Sequence, residues 1–112
     1  MTLPILHAMF TLWAAGFDWD SGNRAKCQRH GVSIEEVETL FRNGPRIAPD
    51  PRHSTEEDRM IAVGRTRAGR PVFVAFTLRT KGGLRFIRPV TARYMHAKEI
   101  AAYEKESAKA KD

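Results

Sequence analysis

Cysteine is nearly missing from this chain of 112 residues, with Cys27 the single one. One thiol excludes an internal disulfide and any zinc site built on cysteines, and it fits a reducing cytoplasm. Between Lys26 and the Arg29-His30 pair the thiol sits beside positive charge, although a small residue packed on a short helix is the plainer reading. No hydrophobic run is long enough to cross a bilayer. The uncharged stretch Met1 to Gly16 falls short of the roughly 20 residues a spanning helix needs, and the basic start of a secretory signal is absent. The histidines His7, His30, His53 and His96 show no ligand spacing with one another or with Cys27, so no metal site is expected. No glycine-rich phosphate loop precedes a helix, no nucleophile motif is present and no segment repeats. No cofactor is therefore expected.

The most informative absence is of negative charge. From Arg59 to Lys98 the chain carries ten Lys or Arg residues and no Asp or Glu, and this segment supplies all of the excess behind the net charge of +6. The cations are interleaved with strand-forming runs such as Pro71 to Leu78, so they belong to a folded sheet that presents guanidinium groups. A phosphate backbone is the natural partner of such a surface.

The remaining pattern predicts one α+β domain. Residues 1–16 read as an apolar extension peripheral to function, 17–106 as the domain and 107–112 as a polar tail. Phe17 to Asp20 reads as a short strand, after which Asp20 caps a helix from Ser21 to about His30, stopped by Gly31. On that helix Asn23, Lys26, Cys27 and His30 share a face that reads as polar and partly cationic. Ser33 and Glu36 form a capping box between Val32 and Val37, opening a second helix with the apolar stripe Ile34, Val37, Leu40 and Phe41. Its glutamates read as first-turn charges and a solvated face. Asn43-Gly44-Pro45 ends it. A polar loop over 46–58, with a short strand at its start, leads to strands near 59–66, 71–79 and 84–93. The short glycine-containing connections make these an antiparallel meander of three or four strands. A helix over about 97–110 closes the chain, and the sheet face away from the helices is left for a ligand.

On the second of those strands, alternation sends Val72, Val74, Phe76 and Leu78 to the core, and Phe73, Ala75, Thr77 and Arg79 outward. On the third, Arg85, Ile87, Thr91 and Arg93 share one side unless Pro89, which cannot donate in a ladder, marks a bulge that shifts the parity. A chemistry that needs only cations and one proton acceptor fits these residues. RNA cleavage is such a chemistry, because the 2′-hydroxyl is an internal nucleophile and arginine grips phosphate oxygens in two places. Candidate acceptors are His30, as an imidazole, and Glu56 or Glu57 ahead of the first basic strand. Each has a plainer use: His30 as a helix cap, and Glu57 as a partner of Arg59 or Arg79 across the sheet.

Phe17-Asp-Trp-Asp20, Lys26, His30 to Glu36, Glu57-Asp-Arg59, Gly64, Thr77-Leu-Arg79 and Arg88-Pro-Val-Thr-Ala-Arg-Tyr-Met95, in this order and spacing, resemble the BrnT family of type II toxins. The match runs over about 17–104. It implies a RelE-like compact ribonuclease fold, metal-independent RNA cleavage that halts translation, and a cytoplasmic location. It also implies a BrnA-type ribbon-helix-helix antitoxin, held in a heterotetramer, that represses the shared operon and supplies the only contact with operator DNA. No membrane contact is implied.

Carried over by position, Arg79 and Arg93 are phosphate and transition-state stabilisers, with Glu57 and His30 beside them as catalytic residues. Lys26, Arg59, Arg88 and Trp19 are substrate contacts, with Arg88 alternatively a structural pair. Pro89-Val90 departs from the two β-branched residues of many members. A second reading, of another class, is a non-catalytic basic module that binds an acidic protein segment or contributes to operator DNA binding.

Overall fold

The computed structural model describes residues 14–50 and 59–111. Within them the chain forms strands β1 (Gly16–Phe17), β2 (Arg46–Pro49), β3 (Met60–Arg65), β4 (Pro71–Lys81) and β5 (Leu84–Tyr94), with helices α1 (Ser21–Gln28), α2 (Ile34–Arg42) and α3 (Ala97–Lys111). The α+β arrangement is the one the pattern predicts. The sheet is larger than the expected three or four strands: it has five, in the order β1-β5-β4-β3-β2. The extra member is β1, which pairs parallel with β5 through Gly16 opposite Phe86 and Phe17 opposite Ile87, so the sheet is mixed. The Ala15 N–H donates to the Arg85 carbonyl at 2.7 Å and the Asp18 N–H to that of Ile87 at 2.8 Å. Pairing therefore ends at Asp18, and Trp19 and Asp20 leave the strand predicted for them.

Local chemistry sets the helix starts. Asp20 accepts from the Asn23 N–H (2.9 Å) while the Asp20 N–H donates to the Asn23 side chain (2.7 Å). The same reciprocal pair joins Ser33 and Glu36 at 2.9 and 3.0 Å, so both helices begin on capping boxes. Gly31, at φ 93°, and Gly44, at φ 68°, take the left-handed turns that follow each helix. α2 turns Val37, Leu40 and Phe41 inward onto Ala62, Val72, Val74, Phe76 and Ile87. Phe41 and Phe76 meet edge to face at 4.9 Å. The approach is close enough that a Cβ on Gly64 would meet Leu40 Cγ at 3.3 Å, so any side chain there would require Leu40 to shift by a few tenths of an ångström.

The face expected to be polar on α1 is divided instead. Asn23 and Cys27 are buried, whereas Lys26 and His30 are exposed. Cys27 packs in the core, where burial pushes its thiol up to about 11, and this settles it as a small apolar residue. Asn23 is admitted to the interior because its amide donates to the carbonyls of Pro89 (2.8 Å) and Asp18 (2.9 Å). The glutamates of α2 are also busier than a solvated face. Glu38 accepts from the Trp19 indole at 2.8 Å and Glu36 from the Tyr94 hydroxyl at 2.9 Å. Burial opposes ionisation of Glu36, but the Ser33 and Tyr94 donors outweigh it and hold its carboxyl below the usual range.

β5 carries a bulge at the proline. Ala75 faces Thr91 while Phe76 faces Pro89, which leaves Val90 unpaired. The shift corrects the parity read from simple alternation. Ile87 joins the core beneath Leu78, while Thr91 and Arg93 turn to the outer face with Ala75 and Phe73. Arg88, opposite Thr77, also lies on that outer face.

α3 is fastened by ion pairs. Glu99 takes both Arg93 guanidinium nitrogens at 2.7 Å and the His96 N–H at 2.8 Å, and Arg65 meets Glu104 at 2.8 Å. The Arg93 hydrogen bonds, aided by the His96 N–H, hold the Glu99 carboxyl down to about 2.

Candidate functional site

Three strands bring a row of polar side chains to the outer face at the bulge. Thr77 of β4 is directly opposite Arg88 of β5. Arg59 immediately precedes Met60, which is opposite Phe76, so it continues the row on the other side of Thr77. Neighbours in such a row stand about 4.8 Å apart. Arg79, two residues beyond Thr77, projects to the same face about 7 Å along the strand. The N-terminal turn of α1 closes the opposite wall with Asp20, Ser21 and Gly22, and Lys26 follows one turn later. Together these residues line a cleft of about 550 Å³. Among the described residues of its lining, four cations, Lys26, Arg59, Arg79 and Arg88, face one carboxylate, Asp20.

That carboxylate is already engaged. Asp20 takes the Asn23 N–H and, at 2.8 Å, an Arg88 nitrogen, and these contacts lower it from the ordinary carboxylate value. Asp18 is lowered mainly by its hydrogen bond with Lys81 at 2.9 Å, and it also touches Arg88 at 3.5 Å. Arg88 is thereby fixed in direction at the cleft wall, and the Asp20 hydrogen bond raises its affinity for its proton further. Of the two uses the sequence left open for Arg88, substrate contact and structural pair, these ion pairs show the second, at a position that lines the cleft.

Two polar atoms at the floor of the cleft have no partner among the described residues. Arg59 Nε and Thr77 Oγ1 are both buried without a hydrogen bond, and Thr77 is 4% exposed. Native interiors seldom leave a buried donor unmatched without a reason.

The other sequence-derived site residues lie elsewhere. Arg93 shares the outer face, but Phe73 is its register partner, six residues from Arg79 along β4, which corresponds to about 20 Å. Its guanidinium lies over the Phe73 ring at 4.6 Å and grips Glu99. Trp19 points to α2, with Arg24 stacked at 5.8 Å. His30 is exposed beyond the end of α1 and does not line the cleft. Glu56 and Glu57 lie outside the described residues. Alternation had put Thr77 among the outward residues, but no signal marked it as buried.

A separate hollow of about 200 Å³, lined by Ala14, Phe17, Phe41, Arg42 and Ile87 with their neighbours, is apolar and offers one cation. It suits packing better than phosphate. No helix among the described residues is long and apolar enough to cross a membrane.

Comparison with known proteins gives one family match. A model described as the ribonuclease toxin BrnT of type II toxin-antitoxin systems fits residues 19–99. This span holds α1, α2, β2 to β5 and every residue lining the cleft. No curated protein matches the chain.

Proposed function

The chain belongs to the BrnT family of type II toxin-antitoxin ribonuclease toxins, and on that premise we propose that its cationic cleft holds a phosphodiester of RNA and cleaves it without a metal ion. The observation that carries the reading is the lining itself, where, among the described residues, four cations converge opposite one already engaged carboxylate. Attack by the 2′-oxygen crowds negative charge onto the phosphate. Guanidinium groups held in place by the sheet neutralise that charge with little reorganisation.

Within this reading each cation has a role set by its support. Arg88, held by Asp18 and Asp20, is the preoriented wall that binds a non-bridging oxygen. Arg79, exposed at the mouth, closes on the phosphate as charge develops. Arg59 and Lys26 grip it from the floor and from α1. Glu57 is the proposed acceptor of the 2′-hydroxyl proton, and His30, outside the cleft, is proposed to supply a further RNA contact. Arg93 fastens α3 and supports the outer sheet at a distance from the reacting phosphate. The proposed silencing partner is an antitoxin of the BrnA type with a ribbon-helix-helix domain.

The purified chain, incubated with total RNA and excess EDTA, is expected to shorten the RNA at a rate within about twofold of that without chelator. Addition of the small protein encoded beside it is expected to stop the reaction. Intact RNA under both conditions contradicts the ribonuclease reading, and cleavage abolished by EDTA contradicts metal independence.

A further inference from the structure

We infer that Thr77 is a substrate-binding residue, its hydroxyl forming with Arg59 Nε the floor of a subsite for one RNA phosphate. The inference rests on the ribonuclease reading for the identity of the ligand, and on the geometry alone for the existence of the site.

A threonine in the middle of β4 needs no hydroxyl to pair its strand, and Phe73 and Ala75, its predecessors on the same face, carry none. Thr77 nevertheless lines the cleft, and its hydroxyl is buried there without a partner among the described residues. Its neighbour Arg59 repeats the anomaly, with a buried Nε–H that finds no acceptor among the described residues. Two adjacent unmatched donors, each lining the same concave surface, indicate an absent acceptor that answers both.

The acceptor must be anionic. Arg88 stands on the other side of Thr77 in the row, so an oxygen above the hydroxyl lies between two arginines whose backbones are about 10 Å apart. A phosphate group, with several oxygens on one centre, can accept from Thr77 Oγ1 and from Arg59 together while a further oxygen reaches Arg88. A neutral base or sugar would satisfy the hydroxyl but leave the flanking charges uncompensated. Asp20, the carboxylate of the rim, is turned to Arg88 and the N-terminus of α1, and so leaves the floor to the ligand.

Binding of a 2′-O-methyl RNA oligonucleotide, which keeps the phosphates but cannot be cleaved, tests this separately from catalysis. Thr77→Val replaces the hydroxyl by a methyl of similar volume and is expected to weaken binding about tenfold, as loss of a hydrogen bond to a charged group does. Thr77→Ser, which keeps the hydroxyl, is expected to bind within about threefold of the parent. The valine variant should melt no lower than the parent, since a buried unpaired hydroxyl is removed. Equal binding by parent and Thr77→Val, equal weakening in the serine and valine variants, or no binding by the parent overturns the subsite. Binding that depends on Thr77 in a protein that leaves unmodified RNA intact supports the subsite and counts against the ribonuclease reading instead.

Discussion

Replacing Arg79 by alanine is expected to lower the rate of RNA cleavage by about 10²- to 10³-fold, the loss typical when one preorganised donor is removed from a developing anion. The same substitution should relieve growth arrest on expression. Stability should change by no more than about 1 kcal/mol, the most that contacts of an exposed side chain usually contribute. The contrast with Arg93 sharpens the point. Both residues face outward, but Arg93 is committed to Glu99 and Phe73 some distance along the sheet. Its loss should release α3 and leave the chemistry near the parental rate. Single-turnover cleavage and thermal melting of the two variants measure both quantities. Parental cleavage by Arg79→Ala, or equal losses in the two variants, would contradict the placement of the reacting phosphate.

Asn23→Ala carries the largest expected loss of stability among the residues around the cleft, about 3 kcal/mol. Its side chain accepts from the Asp20 N–H and donates to the carbonyls of Asp18 and Pro89. Removing it breaks half a capping box, which costs about 1 kcal/mol, and strands a buried carbonyl at the bulge for about 1–3 kcal/mol more. Out of a total of roughly 5–15 kcal/mol, this is a large share. Denaturant titration should show the midpoint falling with the slope unchanged. Because Asn23 also ties the α1 wall of the cleft to the strand bearing Arg88, RNA affinity should fall with it, even at temperatures where the variant is folded. A change below about 0.5 kcal/mol would mean that the amide does not anchor α1 as the geometry requires.

What was legible in the sequence follows what is local. The Asp20 cap, the Ser33–Glu36 capping box, the alternation of β4 and the glycine turns are written in neighbouring residues, and the structure has them where the pattern puts them. β1 is two residues long and exists only because Ala15 and Asp18 find carbonyls of β5, a pairing no local pattern encodes. The i, i+4 spacing on α1 showed that Asn23 and Cys27 share a face. It could not show that this face turns inward, because one of the two carbonyls that admit the buried amide, that of Pro89, arrives from a distant part of the chain.

At the site, composition marked the basic segment and alternation marked Thr77 and Arg79 as outward. The bulge at Val90 decided the rest, by turning Arg93 to the outer face and leaving Ile87 in the core. Parity also says nothing of distance along a strand. Arg79 and Arg93 could share a face, as read, and still stand too far apart to hold one phosphate.

Backbone and side-chain NMR shifts, recorded while a 2′-O-methyl RNA oligonucleotide is added, test the central claim most directly. The account predicts perturbations concentrated at Lys26, Thr77, Arg79 and Arg88, with Phe73, Arg93 and Glu99 left near their free positions. Shifts centred on Arg93 and α3, with the cleft at the bulge undisturbed, would contradict it.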